Sequence, residues 1–257
     1  MRSLASRNFC LGCWFTFVTG IGIFGLIYLT PLFLGRVRGF LAWQIGGAIL
    51  SAGLFQLAAI PIYSVLANRI DLRWLLMFGL FSFGMSMGLF APMMNQWGWE
   101  EMLLPLAFRG FATPFAMAST VTLALGGLPP DRVKTASGLF TLMRSLGGAI
   151  GIAACGTVLN DRTNLHFLRI AEHLNSANVE VNNWLHVMAA RYAQAWGDST
   201  AGQAAALKKL WLLTYREAQV QAFADAYLVI ALCFAVAVVM VPLMHKVTTP
   251  RGPARSN

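Results

Sequence analysis

Acidic side chains are scarce in this sequence: Asp and Glu together number 10 among 257 residues, while Lys and Arg number 19. None of the acids lies deep inside an apolar run, and Asp225 stands only at the edge of the last one. Histidine is equally absent from the run interiors. Charged residues make up 11% of the chain and hydrophobic ones 57%, against roughly 25% charged in an ordinary soluble domain. That balance excludes a water-soluble fold, which could not cover so much apolar surface. Cysteine is too sparse for a disulfide framework. Cys10 and Cys13 form a C-x-x-C with no second pair and no nearby His, so they read as a packing or lipid-facing pair rather than a metal or redox centre. No cofactor or metal site is expected. A Gly-x-Ser-Gly motif with an intramembrane His is missing too, which excludes an intramembrane protease of the six-helix kind.

What the sequence does contain is long apolar runs. A membrane span needs about 20 apolar residues at 1.5 Å each, and the sequence predicts six, at 9–35, 41–67, 74–94, 102–128, 135–159 and 223–245. The first run is too long for a cleaved leader and is expected to stay in the protein. The fold class is therefore all-α and integral to a membrane, a bundle of six transmembrane helices with the lipid bilayer as its solvent. The formal charge of +9 does not point to nucleic acid, because the basic residues sit between apolar runs as topology signals.

One side collects Arg2, Arg7, Arg69, Arg73, Arg132, Lys134, Lys246, Arg251 and Arg255; the other has Arg36 and Arg38 and then Glu100 and Glu101. The positive-inside rule then puts both termini, including the tail 246–257, in the cytoplasm. The hydrophilic stretch 160–222 falls outside, in the periplasm where the cell has one. Leu165, Leu168 and Ala171, and again Leu185, Met188 and Tyr192, recur at helical spacing, which predicts two or three short amphipathic helices there. His166, Glu172 and His173 lack a clear further ligand and read as solvated helix residues rather than a metal site.

Arg109 and Arg144 fall inside apolar runs, where an arginine is costly unless it faces protein or a watery path. Snorkelling is the alternative for Arg109, which lies near the outer interface. Arg109, Thr113, Met117 and Thr120 share one face of the fourth span, and with Phe24, Tyr28 and Arg144 they are the candidate lining of a substrate path. Gly147, Gly148 and Gly151 in the fifth span, and Gly84 and Gly88 in the third, are expected to let helices approach closely.

Three stretches carry a family resemblance. They are Arg69-Ile70-Asp71-Leu72-Arg73-Trp74, then Leu128-Pro129-Pro130, and the run from Ala136 to Ala153 that reads ASGLFTLMRSLGGAIGIA. Together they resemble the EmrB/QacA branch of the major facilitator superfamily, in the C-terminal six helices of a fourteen-helix transporter. The resemblance implies one half of a major facilitator fold and a proton-coupled multidrug antiporter, with Arg69, Asp71 and Arg73 as its cytoplasmic loop motif. It also implies hydrophobic or cationic small molecules as substrates, an N-terminal partner of six to eight helices, and a periplasmic adaptor protein as a further partner. Proton-driven antiport needs an intramembrane group that binds and releases a proton, usually a carboxylate, and none stands in these spans. The expectation is an incomplete transporter in the inner membrane of a bacterial cell. The alternative is a non-transporting membrane subunit or remnant that acts through helix packing.

Overall fold

The computed structural model describes residues 7–126, 130–174 and 178–244. Arg2, Leu128, Pro129, His245 and the tail with Lys246, Arg251 and Arg255 lie outside the described residues, as do the side chains of 130–132. The described chain is helical: α1 (Arg7–Arg36), α2 (Ala42–Ala67), α3 (Leu72–Gly88), α4 (Trp99–Leu125), α5 (Pro130–Glu172), α6 (Val179–Trp196), α7 (Ser199–Met240) and a short 3₁₀ turn, Val241–Leu243.

Four stretches are long and apolar enough to cross a membrane by length and composition: Arg7–Arg36, Ala42–Ala67, Val133–Glu172 and Ser199–Leu243. The six expected spans thus reduce to four on that measure. α3 stops at 17 residues, short of the expected 74–94. Pro92 lies in the turn that follows it, and proline disfavours helix in the residue before it. α4 is 27 residues long but carries Glu100, Glu101, Arg109 and two prolines, Pro105 and Pro114.

The stretch 160–222 differs from the two or three short helices expected. Its first part is simply the continuation of α5 and its last part the beginning of α7, with α6 between them as a separate helix. At 43 residues, α5 is about 65 Å long, roughly twice the ~30 Å hydrocarbon core. Nothing in its outer part stops it, because 157–196 holds neither glycine nor proline. The turns that do occur have local causes. Asn178 caps α6 by accepting the Glu180 and Val181 N–H groups, and Gly197 closes it at φ 74°, in the left-handed region that glycine enters freely. Asp198 then caps α7 by accepting from the Thr200 N–H at 2.8 Å. Two hydrogen bonds from Thr200, hydroxyl and backbone, hold the exposed Asp198 carboxyl below the usual carboxylate range.

Several buried threonines are satisfied within their own helices. Thr19, Thr113 and Thr120 each donate to the carbonyl one turn earlier at 2.7–2.8 Å, as a water-poor environment requires. Hydrogen bonds also cross between helices: the Ser86 hydroxyl donates to the Pro105 carbonyl at 2.7 Å, the Thr30 and Tyr227 hydroxyls meet at 3.2 Å, and the Ser119 hydroxyl lies 3.5 Å from that of Tyr63. Phe83 stacks on Phe234 at 4.5 Å and Phe90 on Tyr227 at 4.3 Å, which seats α7 against α3 and its following turn.

α1 packs most extensively on α5, and glycine is the reason. A Cβ at Gly147 would strike the Phe17 carbonyl oxygen, one at Gly20 the Arg144 carbonyl oxygen, and one at Gly151 would come within 2.9 Å of the Ile21 Cα. Gly148 makes room for the Phe24 ring. In the third helix the expected pair divides. Gly84 lies against Phe234, but Gly88 faces open space, because α3 makes its close approach to α4 through Gly79, where a Cβ would meet the Ala116 backbone.

Candidate functional site

The N-terminal parts of α1 and α5 and the C-terminal part of α4 enclose a partly open pocket of about 180 Å³. Met117, Thr120 and Arg144 line it, three of the side chains singled out in the sequence. Thr16 and Thr19 of α1, Ser137, Phe140 and Thr141 of α5, and Val121 and Leu125 of α4 complete it. Arg144 is half-buried and is the sole charged side chain among the lining residues. The α5 contribution is legible in the sequence, since Ser137, Thr141 and Arg144 recur at i, i+4 and i+7 and so share a face. The expected lining took Arg144 from α5 but not Ser137, Phe140 or Thr141. Thr16 and Thr19 enter because the Gly20–Arg144 contact brings α1 onto α5, a long-range contact that no local pattern announces.

The other expected lining residues stand elsewhere. Phe24 and Tyr28 lie against the small residues of α5, the Tyr28 hydroxyl 3.8 Å from the Cβ position of Gly156. Thr113 is buried with its hydroxyl on the Arg109 carbonyl. Arg109 is half-buried, and its Nε is buried with no hydrogen-bond acceptor. Two levels of polar groups therefore exist along the helices, Arg144 with hydroxyls toward the N-terminal parts of α1 and α5, and the Thr30–Tyr227 pair toward the C-terminal part of α1.

In the loop motif, Asp71 serves the local structure and caps α3 by accepting the Arg73 N–H at 3.3 Å. Arg69 is exposed and Arg73 half-buried beside it. His166 corrects the sequence reading. It is not a solvated helix residue, because its Nε2 lies 2.8 Å from the Asp225 Oδ2, with the Arg162 Nε at 3.7 Å from the same oxygen. This cluster ties α5 to α7 where both leave the apolar bundle, and the Asn95–Glu217 hydrogen bond ties α7 to the turn between α3 and α4. Among the described residues no cluster of three or more His, Cys, Asp or Glu could hold a metal ion.

The described chain is thus a bundle of long apolar helices with glycine-mediated crossings and an arginine–hydroxyl pocket between α1, α4 and α5. The chain belongs to the major facilitator superfamily, whose family model matches residues 1–152, more than half of its length. It is similar to the colistin resistance protein EmrB of Acinetobacter baumannii, 28% identical over 222 residues that cover 86% of this chain and 42% of that protein. It is also similar to the multidrug export protein EmrB of Haemophilus influenzae, 28% identical over 71% of this chain and 36% of that protein. The multidrug export protein EmrB of Escherichia coli strain K12 is 30% identical over 67% of this chain and 34% of its own length. The chain therefore spans 34–42% of the length of these curated relatives.

Proposed function

We propose that this chain is the C-terminal bundle of a proton-coupled multidrug efflux transporter, six spans working with an N-terminal partner of six to eight helices. The observation that carries the reading is the partly open pocket of Thr16, Thr19, Met117, Thr120, Thr141 and Arg144. At about 180 Å³ it is smaller than the roughly 300–1,000 Å³ of sites that enclose a drug-sized ligand, and it reads as one wall of a larger cavity. The exposed apolar faces of α2, with Leu50, Leu54 and Leu57, and of α5, with Leu142, Leu146 and Ile150, offer the partner and the lipid their contact surface.

Met117 and Phe140 give the wall an adaptable apolar surface for hydrophobic or cationic compounds, while Arg144 and the hydroxyls supply donors. The proton-binding carboxylate of such a machine belongs to the partner half in this reading. The names of the relatives, multidrug export and colistin resistance, agree with an efflux role. The protein lies in the bacterial inner membrane with both termini in the cytoplasm. Its α5–α6–α7 extension then stands outside, where a periplasmic adaptor could dock.

Two measurements test this. In the assembled transporter, with Cys10, Cys13, Cys155 and Cys233 replaced by alanine, Thr120→Cys should be modified by a small thiol reagent, and bound ethidium should slow that modification severalfold. Equal rates with and without dye would remove the pocket from the substrate path. For topology, Ser199→Cys should react with an impermeant reagent added to intact cells and Asn257→Cys should not. The reverse pattern would turn the protein over in the membrane.

A further inference from the structure

A second feature lies at the α2–α3 turn, away from the pocket. α2 and α3 barely touch, yet both pack on α4. Between them runs an open groove of about 330 Å³, walled by Ile62 and Leu66 of α2 and by Trp74 and Phe78 of α3, with Phe111 and Phe115 of α4 as its floor. No charged side chain lines it, and Ile70 extends it to the turn itself. There the character changes, because Arg69 and Arg73 flank the single acid of the turn. Asp71 is engaged as the cap of α3, and Asn68 donates its amide to the Ser64 carbonyl at 3.0 Å. The Arg73 Nε is buried with no hydrogen-bond acceptor. An apolar, aromatic-walled slot that reaches a turn carrying Arg69 and Arg73, next in sequence to its lining residues Ile70 and Trp74, matches one chemistry, an acyl chain below a phosphate. The positive end of the α3 dipole adds to the attraction for that phosphate.

We propose that the groove and its turn bind one anionic phospholipid, with the acyl chain between α2 and α3 and the phosphate at Arg69 and Arg73. This site is separate from the pocket and does not depend on the transport reading. Charge complementarity selects an anionic lipid over a zwitterionic one, by about fivefold for each basic side chain near the headgroup.

The test is native mass spectrometry of the purified full chain in detergent, titrated with phosphatidylglycerol and with phosphatidylcholine of identical acyl chains. The first lipid adduct should favour phosphatidylglycerol by about fivefold or more. Arg69→Gln with Arg73→Gln should reduce that preference to none, and Leu66→Trp, which fills the groove, should weaken the first adduct of both lipids. Arg69→Gln alone guards against misfolding, since Arg69 is exposed and its loss should still lower the preference. An undiminished preference in the arginine variants, or wild-type occupancy in Leu66→Trp, would overturn the proposal. Circular dichroism matching wild type would show that any loss of binding is local.

Discussion

Gly147→Leu is expected to separate α1 from α5 and to abolish the folded bundle, and even Gly147→Ala should lower its stability measurably. The cause is steric and backbone-deep: the Cβ of alanine would overlap the Phe17 carbonyl oxygen, so a helix axis rather than a flexible side chain has to move. Overpacking of this kind typically costs about 1–3 kcal/mol, and leucine adds three further carbons at the same point. Gly88→Ala and Gly138→Ala are the controls. Nothing lies within 4 Å of a Cβ at either position, so the gain in helix propensity, up to ~1 kcal/mol, should leave them neutral or slightly stabilised. Thermal unfolding in detergent, followed by helical dichroism or by loss of the monodisperse peak, ranks the variants. If Gly147→Ala melts with Gly88→Ala, the close crossing of α1 and α5 does not exist as described.

Arg144→Leu is expected to reduce transport by about tenfold or more in a full-length transporter carrying this half, with insertion unchanged. Arg144 stands among Thr16, Thr19, Thr120, Ser137 and Thr141, and the loss of a charged hydrogen-bonding group removes roughly 1.5–3 kcal/mol of interaction, about tenfold for each 1.4 kcal/mol. Leucine keeps the apolar length of α5, so the membrane accepts it at no penalty. Arg144→Lys retains the charge but lacks the planar five-donor fork, and it too should impair transport. Initial rates of dye efflux, normalised to the amount of protein in the membrane, distinguish these outcomes. Wild-type rates for both variants would mean that Arg144 merely snorkels to the interface.

The helical character of the chain was legible because its causes are local, although the caps were not read in advance. Apolar runs with few breakers force helix in a solvent that offers the backbone no partner, and Gly197 and Asp198 announce the α6–α7 turn by residue type. The lengths of α5 and α7 were not legible from apolar content. A span ends where the membrane does, but a helix ends where the chain stops it, and 199–222 is rich in alanine, leucine and glutamine, all good helix formers. Contacts between distant helices were the hardest part. Tyr227 and Thr30 meet across 197 positions and His166 and Asp225 across 59, and periodicity says only which face a residue occupies, never which helix it will meet. Gly147 and Gly151 could be picked out as small residues one turn apart, while their partners Phe17 and Ile21 could not. The same limit explains why Phe24 and Tyr28, sound guesses as aromatic lining by type, stand against α5 instead of in the pocket.

The most direct measurement of the half-transporter account is proton-driven ethidium efflux from cells that express this chain alone, compared with cells that also express an N-terminal bundle of the same family. The account predicts that the chain alone reaches the membrane but neither lowers dye accumulation nor protects growth. With the partner present, efflux should appear and collapse when an uncoupler dissipates the proton gradient. Robust, uncoupler-sensitive efflux by the chain on its own would contradict the account, because its spans would then have to bind and release the proton without a deep carboxylate.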